Sequence, residues 1–264
     1  MSRVSGLFEC DGQMLAATLD QAPGTTGLLI VTGGNEIRSG AFGGQAAIAA
    51  RVAAAGFPVY RFDRRGVGDS EGENRGFRHC AADIAAALAA LRAAAPQVTR
   101  VIAFGNCDAA SALMLEGGAG ADGLVLSNPW TIEGEDTAGG EADRTPPPAA
   151  VRARYLEKLK NPREVMRLFG GGVNLGKLAR GVIHALKPPP PPSSLAQDMA
   201  AGLAGFTGDV RILLATADRT AQVFEAAWDR NDPRIRRCEG GTHAYVDPAH
   251  SAWLEAQLLD ALRA

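Results

Sequence analysis

The chain has 264 residues, nearly half of them hydrophobic, which suits one large α/β core or a core carrying an insertion. A formal net charge of −2 argues for neither a nucleic-acid surface nor an anionic membrane surface. The four cysteines, Cys10, Cys80, Cys107 and Cys238, are scattered and form no CxxC pair, which argues against a disulfide framework or a structural zinc site and points to reduced thiols in a cytoplasm. Met1 to Gly6 carries no apolar signal-peptide region, and no run approaches the ~20 apolar residues of a membrane span.

Taken in order, Leu7 to Leu19 reads as a hairpin turning at Asp11-Gly12. Gly27-Leu28-Leu29-Ile30-Val31 is a short continuous apolar run, the mark of a parallel strand buried on both faces, and it ends in Thr32-Gly33-Gly34-Asn35. A helix is predicted from Phe42 to Ala55, closing at Gly56, followed by a strand from Phe57 to Phe62. Asp63 to Gly72 is a polar, glycine-rich loop in which Asp63 and Arg65 are expected to tie the chain down. Phe77 to Ala95 predicts a long helix that stops before Pro96. Val101-Ile102-Ala103-Phe104 predicts a strand that runs through Gly105-Asn106-Cys107-Asp108-Ala109 into a helix ending near Glu116. Gly123 to Ser127 is a further buried strand, ending at Asn128-Pro129-Trp130. This alternation implies right-handed crossovers and a mostly parallel sheet.

The alternation stops at Thr131. Three amphipathic helices are expected near 149–159, 162–169 and 175–186, followed by a stiff polyproline run from Pro188 to Pro192. The chain therefore divides into a first core part (1–130), an inserted helical lid (131–207) and a second core part (208–264). In the last part Val210 to Thr216 reads as a strand ending at Asp218, with a helix over 221–229. Arg234 to Cys238 is the last strand, followed by the loop Glu239-Gly240-Gly241-Thr242-His243 and a closing helix from Pro248 to Leu262.

The chemistry centres on Cys107. A strand that turns sharply into a helix holds the middle residue of the turn in a strained conformation, and the residues two before and two after must be small. Here they are Gly105 and Ala109. Free N–H groups and the dipole at the helix start favour a thiolate. Asp108 as nucleophile would require Asn106 and Ala110 at the small positions, and Asn106 fits poorly. Of the four histidines, His79, His184, His243 and His250, only His243 lies in a glycine-rich loop after the last predicted strand, where an imidazole can swing over the sheet as general base. Asp218 ends the preceding strand and is expected to orient His243; its competing role is the N-cap of the next helix. The order Cys107, Asp218, His243 is nucleophile, acid, base. The oxyanion donors are expected to be the backbone N–H of Asp108 and that of Gly34 or Asn35, which the spacing leaves unseparated. Arg38 is a candidate to reach into the pocket toward an anionic group, against a solvated role, and Asn106 and Trp130 are candidate substrate-binding residues.

Gly33-Gly34, the Asp63-x-Arg65-Gly66-x-Gly68-x-Ser70 loop, the Gly105-x-Cys107-x-Ala109 elbow, Asp218 and His243 together resemble the α/β-hydrolase superfamily across nearly the whole chain. The Cys-Asp-Ala-Ala-Ser elbow, the insertion and the Thr-His-Ala segment look more narrowly like the exosortase A system-associated hydrolase 1 group, whose members are encoded beside bacterial exosortase and exopolysaccharide genes. Cys107 and Ala109 depart from the serine hydrolases; a cysteine nucleophile also occurs in dienelactone hydrolases, similar at the elbow alone. The resemblance implies an α/β-hydrolase fold with a mostly parallel central sheet flanked by helices. It also implies a bacterial cytoplasmic hydrolase of ester, thioester or amide bonds with no metal or organic cofactor. An acyltransferase using the same triad, with a CoA or acyl-carrier-protein thioester as donor, is the alternative. A non-catalytic small-molecule-binding homologue is the reading from another class.

Overall fold

The structure, a computed structural model, describes residues 2–132 and 194–264. Eight strands form one sheet: β1 (Arg3–Cys10), β2 (Gln13–Asp20), β3 (Thr26–Val31), β4 (Val59–Phe62), β5 (Arg100–Asn106), β6 (Gly123–Ser127), β7 (Asp209–Ala215) and β8 (Ile235–Cys238). Their order is β1-β2-β4-β3-β5-β6-β7-β8. β1 pairs antiparallel with β2, and β2 with β4; every other pair is parallel. The hairpin turns where the sequence places it. Asp11 and Gly12 both have positive φ, 51° and 75°, the conformation that matches strand twist in a two-residue turn.

The apolar runs alternate between two cores with the strand period of two. From β3, Leu29 and Val31 face a layer made by α2 (Ala81–Ala94), α3 (Asp108–Leu115), α4 (Ser194–Leu203) and α5 (Arg219–Ala227). Leu28 and Ile30 face α1 (Gly44–Ala54) and α6 (Pro248–Arg263). This explains why the run is continuously hydrophobic. Leu28, Leu29 and Ile30 are fully buried, and each such side chain contributes about 2 kcal/mol relative to exposure.

Three local departures from expectation have clear causes. The helix predicted from Phe42 begins only at Gly44, because Phe42 and Gly43 both take positive φ, 53° and 70°, and Phe42 stands 90% exposed. The helix predicted from Phe77 opens with a tight turn over Phe77–His79 and becomes α-helical at Ala81. Ser194–Leu203, inside the stretch assigned to the insertion, forms α4 and buries Leu195, Met199 and Leu203 in the core against α3. Gly202 permits that approach: a Cβ there would lie 2.2 Å from the carbonyl oxygen of Met114. The helices expected at 149–159, 162–169 and 175–186 and the proline run lie outside the described residues.

What positions the site is the reversal at β3. Its neighbours are β4 on one side and β5 on the other, so the loops leaving β3 and β5 diverge and open a crevice at the carboxyl ends of the strands.

Candidate active site

Cys107 follows β5 directly and has φ 62° and ψ −129°, a conformation that costs about 1–3 kcal/mol for a residue with a side chain. Sterics and hydrogen bonds on all sides maintain it. A Cβ on Gly105 would lie 2.7 Å from the carbonyl carbon of Ala109 and from the nitrogen of Ala110, so only glycine fits there. The Cys107 N–H donates to the Ser127 carbonyl at 2.9 Å. Its own carbonyl accepts from the N–H groups of Ala110, Ser111 and Trp130. Cys107 is partly exposed, whereas Cys10, Cys80 and Cys238 are buried. Burial pushes the Cys10 and Cys80 thiols up to about 11, which leaves them inert at neutral pH.

His243 meets Cys107 from the loop after β8. Its Nδ1 lies 3.0 Å from Asp218 Oδ2. The same Asp218 oxygen accepts from the Ala221 N–H at 3.2 Å, so the aspartate is both the partner of the histidine and the N-cap of α5. The two roles, which compete in the sequence, coexist because a carboxylate oxygen has two lone pairs. Burial disfavours the imidazolium, but its hydrogen bonds to Asp218 and Cys107, and their charges, outweigh it and push His243 up to about 10.

The histidine loop is also held from behind, by residues that the sequence reading did not single out for this role. The His243 carbonyl accepts from Asn106 Nδ2 at 3.2 Å and from Asn128 Nδ2 at 3.5 Å. Asn128 is fully buried, reaches Asn106 Oδ1 at 3.0 Å and accepts from the Ala215 N–H at 2.9 Å. The Tyr245 hydroxyl pairs with Ser127 Oγ at 2.9 Å, and its ring stacks on Trp253. Of the six described non-glycine residues with positive φ, Phe42, Cys107, Asn128 and Tyr245 surround this site, and strained backbone concentrates where surrounding structure over-determines it. That signal exists only in three dimensions.

The predicted site residues separate into two groups. Gly34, Asn35, Asn106, Cys107 and His243 line one cavity of about 470 Å³, together with Glu36, Gln45 and Tyr245. Glu36 accepts from the Ala41 N–H and from Gln45 Nε2, and burial raises its carboxyl pKa. Asp108 adjoins the cavity: its Oδ1 accepts from the Gly34 N–H at 2.7 Å. Arg38 does not reach in. Its guanidinium pairs with the buried Asp63 and with Asp69, and its Nε donates to Thr18, so the pull of buried Asp63 turns it away from the pocket. Trp130 is absent from the cavity wall as well; its indole N–H donates to the Ile132 carbonyl at 3.0 Å and its ring packs on the core. The loop reading holds for Asp63 and Arg65. Asp63 accepts from the N–H groups of Arg38 and Asp69, and Arg65 pairs with Asp83 and Asp11. Among the described residues no cluster of three or more metal-binding side chains occurs, and no helix is long and apolar enough to cross a membrane.

The model of the alpha/beta hydrolase family matches residues 28–257. No curated protein sequence matches the chain. Among solved structures, the esterase Pf2001 of Pyrococcus furiosus is similar at 11% identity and TM-score 0.62, over 99% of this chain and 90% of that one. Est1E of Butyrivibrio proteoclasticus, solved with ferulic acid bound, is similar at 13% identity and TM-score 0.61, over 98% of this chain and 100% of that one. The alpha/beta hydrolase GrgF of Penicillium sp. sh18 is similar at 17% identity and TM-score 0.63, over 100% of this chain and 98% of that one. At these identities the likeness concerns the fold.

Proposed function

Because the chain belongs to the alpha/beta hydrolase family, we propose that it hydrolyses an ester, thioester or amide through a Cys107–His243–Asp218 triad. One observation carries the reading: His243 is bonded through Nδ1 to Asp218 at 3.0 Å and lines the same cavity as Cys107, the residue at the strained turn. With Nδ1 turned to Asp218, Nε2 is the nitrogen left for the thiol. Cys107 Sγ attacks the acyl carbon, its proton resides on His243 Nε2, and the carbonyl π electrons move onto oxygen. The Asp108 N–H and one N–H of the Gly34-Asn35 turn stabilise that oxyanion. As it collapses, the bond to the leaving group breaks and His243 gives the proton to that group. Water then attacks the Cys107 thioester, losing a proton to His243, and the acid product leaves with the thiol restored. Asp218 holds the imidazole in the required tautomer and stabilises the imidazolium.

The elbow supports a narrower placement beside the exosortase-associated hydrolases of the bacterial cytoplasm. A second reading, acyl transfer from a CoA or acyl-carrier thioester, follows from the cysteine itself, since a thioester acyl-enzyme reacts with amines and thiols as well as with water. Brief exposure of the protein to phenyl thioacetate, followed by intact mass measurement, tests both. An acetyl adduct on Cys107 that decays in water alone supports the hydrolase; an adduct that decays only on addition of an amine or alcohol supports the transferase. Absence of an adduct, or an adduct that persists in Cys107→Ala, refutes both.

A further inference from the structure

The turn after β3 is held at Gly34 by an ion pair that the catalytic scheme does not use. The Gly34 N–H donates to Asp108 Oδ1 at 2.7 Å, while the Gly34 carbonyl accepts from Arg64 Nη2. The same Arg64 nitrogen lies 3.3 Å from Asp108 Oδ2, closing a ring of Gly34, Asp108 and Arg64. The Arg64 side chain is only 3% exposed. Burial works against its charge and Asp108 restores it. The approach is close on every side: a Cβ on Gly33 would lie 2.7 Å from Asp108 Oδ1 and 3.5 Å from Cys107 Cβ. The turn is closed by a Glu36 N–H to Gly33 carbonyl bond and requires positive φ, 53°, at Gly34. The Gly34 N–H is thus consumed within the protein, whereas the N–H groups of Asn35 and Asp108 make no hydrogen bond among the described residues.

We propose that the Arg64–Asp108 pair is a clamp on Gly34 that takes its N–H out of the oxyanion hole and leaves Asn35 N–H, with Asp108 N–H, as the pair of donors. Asp108 then contributes twice: its backbone N–H touches the oxyanion, and its carboxylate is a positioning group acting through the loop. The inference rests on Cys107 being the nucleophile. A donor must be fixed before charge develops on the substrate oxygen to be effective; the Gly33–Gly34 peptide is held at its N–H and the Gly34–Asn35 peptide at its C=O, so the plane that carries the Asn35 N–H cannot rotate out of register.

The experiment compares two reactions of Cys107 in wild type, Asp108→Asn and Arg64→Lys. Acetylation by phenyl thioacetate forms an oxyanion. Alkylation by iodoacetamide displaces iodide at a saturated carbon and forms none, so it reads the thiol and the triad alone. An asparagine retains an acceptor for the Gly34 N–H but loses the charge that holds Arg64, and a lysine loses the planar fork that reaches both Gly34 and Asp108. Acetylation is expected to fall by about 100-fold in Asp108→Asn and by less in Arg64→Lys, with alkylation unchanged in both. Acetylation equal to or faster than wild type in both variants overturns the clamp, and so does a parallel fall in both reactions. Either result, with wild type still acetylated, leaves the triad standing. A wild type that is never acetylated removes the triad and the clamp together.

Discussion

The elbow and the histidine loop face each other across one cavity, yet the chain specifies them in opposite ways. The elbow is chiefly local: Gly105, Cys107 and Ala109 are neighbours in sequence, and backbone sterics between Gly105 and Ala109–Ala110 enforce its shape, with the Ser127 and Trp130 backbone bonds added to them. The histidine loop is held from afar. Its ring is oriented by Asp218 at the end of β7, its carbonyl by Asn106 and Asn128, and its tyrosine by Ser127 on β6. A locally enforced geometry fails all at once when one residue changes. A distributed one degrades in steps, because the remaining contacts still hold.

Substitutions sharpen that contrast. Gly105→Ala places a methyl 2.7 Å from backbone with no side chain to give way. It should cost about 3 kcal/mol in urea denaturation and abolish Cys107 acetylation; a stable, active variant would break the local account of the elbow. His243→Ala should lower the acetylation rate by about a thousand-fold with the fold intact by circular dichroism. Asp218 permits a finer division. Asp218→Asn keeps an N-cap acceptor and should lose activity by about 100-fold with little loss of stability, whereas Asp218→Ala should lose about 1 kcal/mol as well.

The same pair gives a pH signature. The histidine is raised in the folded protein from 6.5 to about 10. Its contribution to stability is therefore full below about 6.5 and is lost as pH rises toward about 10. Urea midpoints measured from pH 6 to pH 10 should fall in wild type and flatten in Asp218→Asn. Asn128→Ala removes one of two amides from the His243 carbonyl and leaves the buried Ala215 N–H unpaired, so kcat should fall by about tenfold and stability by about 2 kcal/mol. An unchanged kcat would show that Asn106 alone carries the loop. Arg38→Met, on the far side of Asp63, should leave kcat/KM unchanged and cost about 2 kcal/mol through the buried carboxylate it abandons.

Much of this architecture was legible in the sequence because it is written in short range. Continuous apolar runs marked the buried strands, Asp11-Gly12 marked the hairpin, and small residues on either side of Cys107 marked the turn. Asp218 and His243 are readable as candidates because each lies in the loop after a strand at the same edge of the sheet. What escaped is pairing between distant elements, which leaves no period and no spacing. Asn128 reads as the end of a strand until its amide is seen between β5, β7 and the histidine loop. Arg38 reads as either a pocket or a solvated arginine because nothing in the chain shows that the buried Asp63 holds it. Gly34 and Asn35 could not be told apart, since the Asp108 carboxylate that engages one of them lies 74 residues away.

The stacking of Tyr245 on Trp253, with centroids 6.1 Å apart and planes 13° from parallel, gives the protein an optical handle. Tyr245 is two residues from His243 and forms part of the cavity wall, while Trp253 belongs to the rigid closing helix. Any movement of the histidine loop relative to that helix would change the stacking and with it the indole emission. An occupant that moves the loop would then be followed in real time in the unlabelled protein, even one that binds without reacting and releases no coloured product.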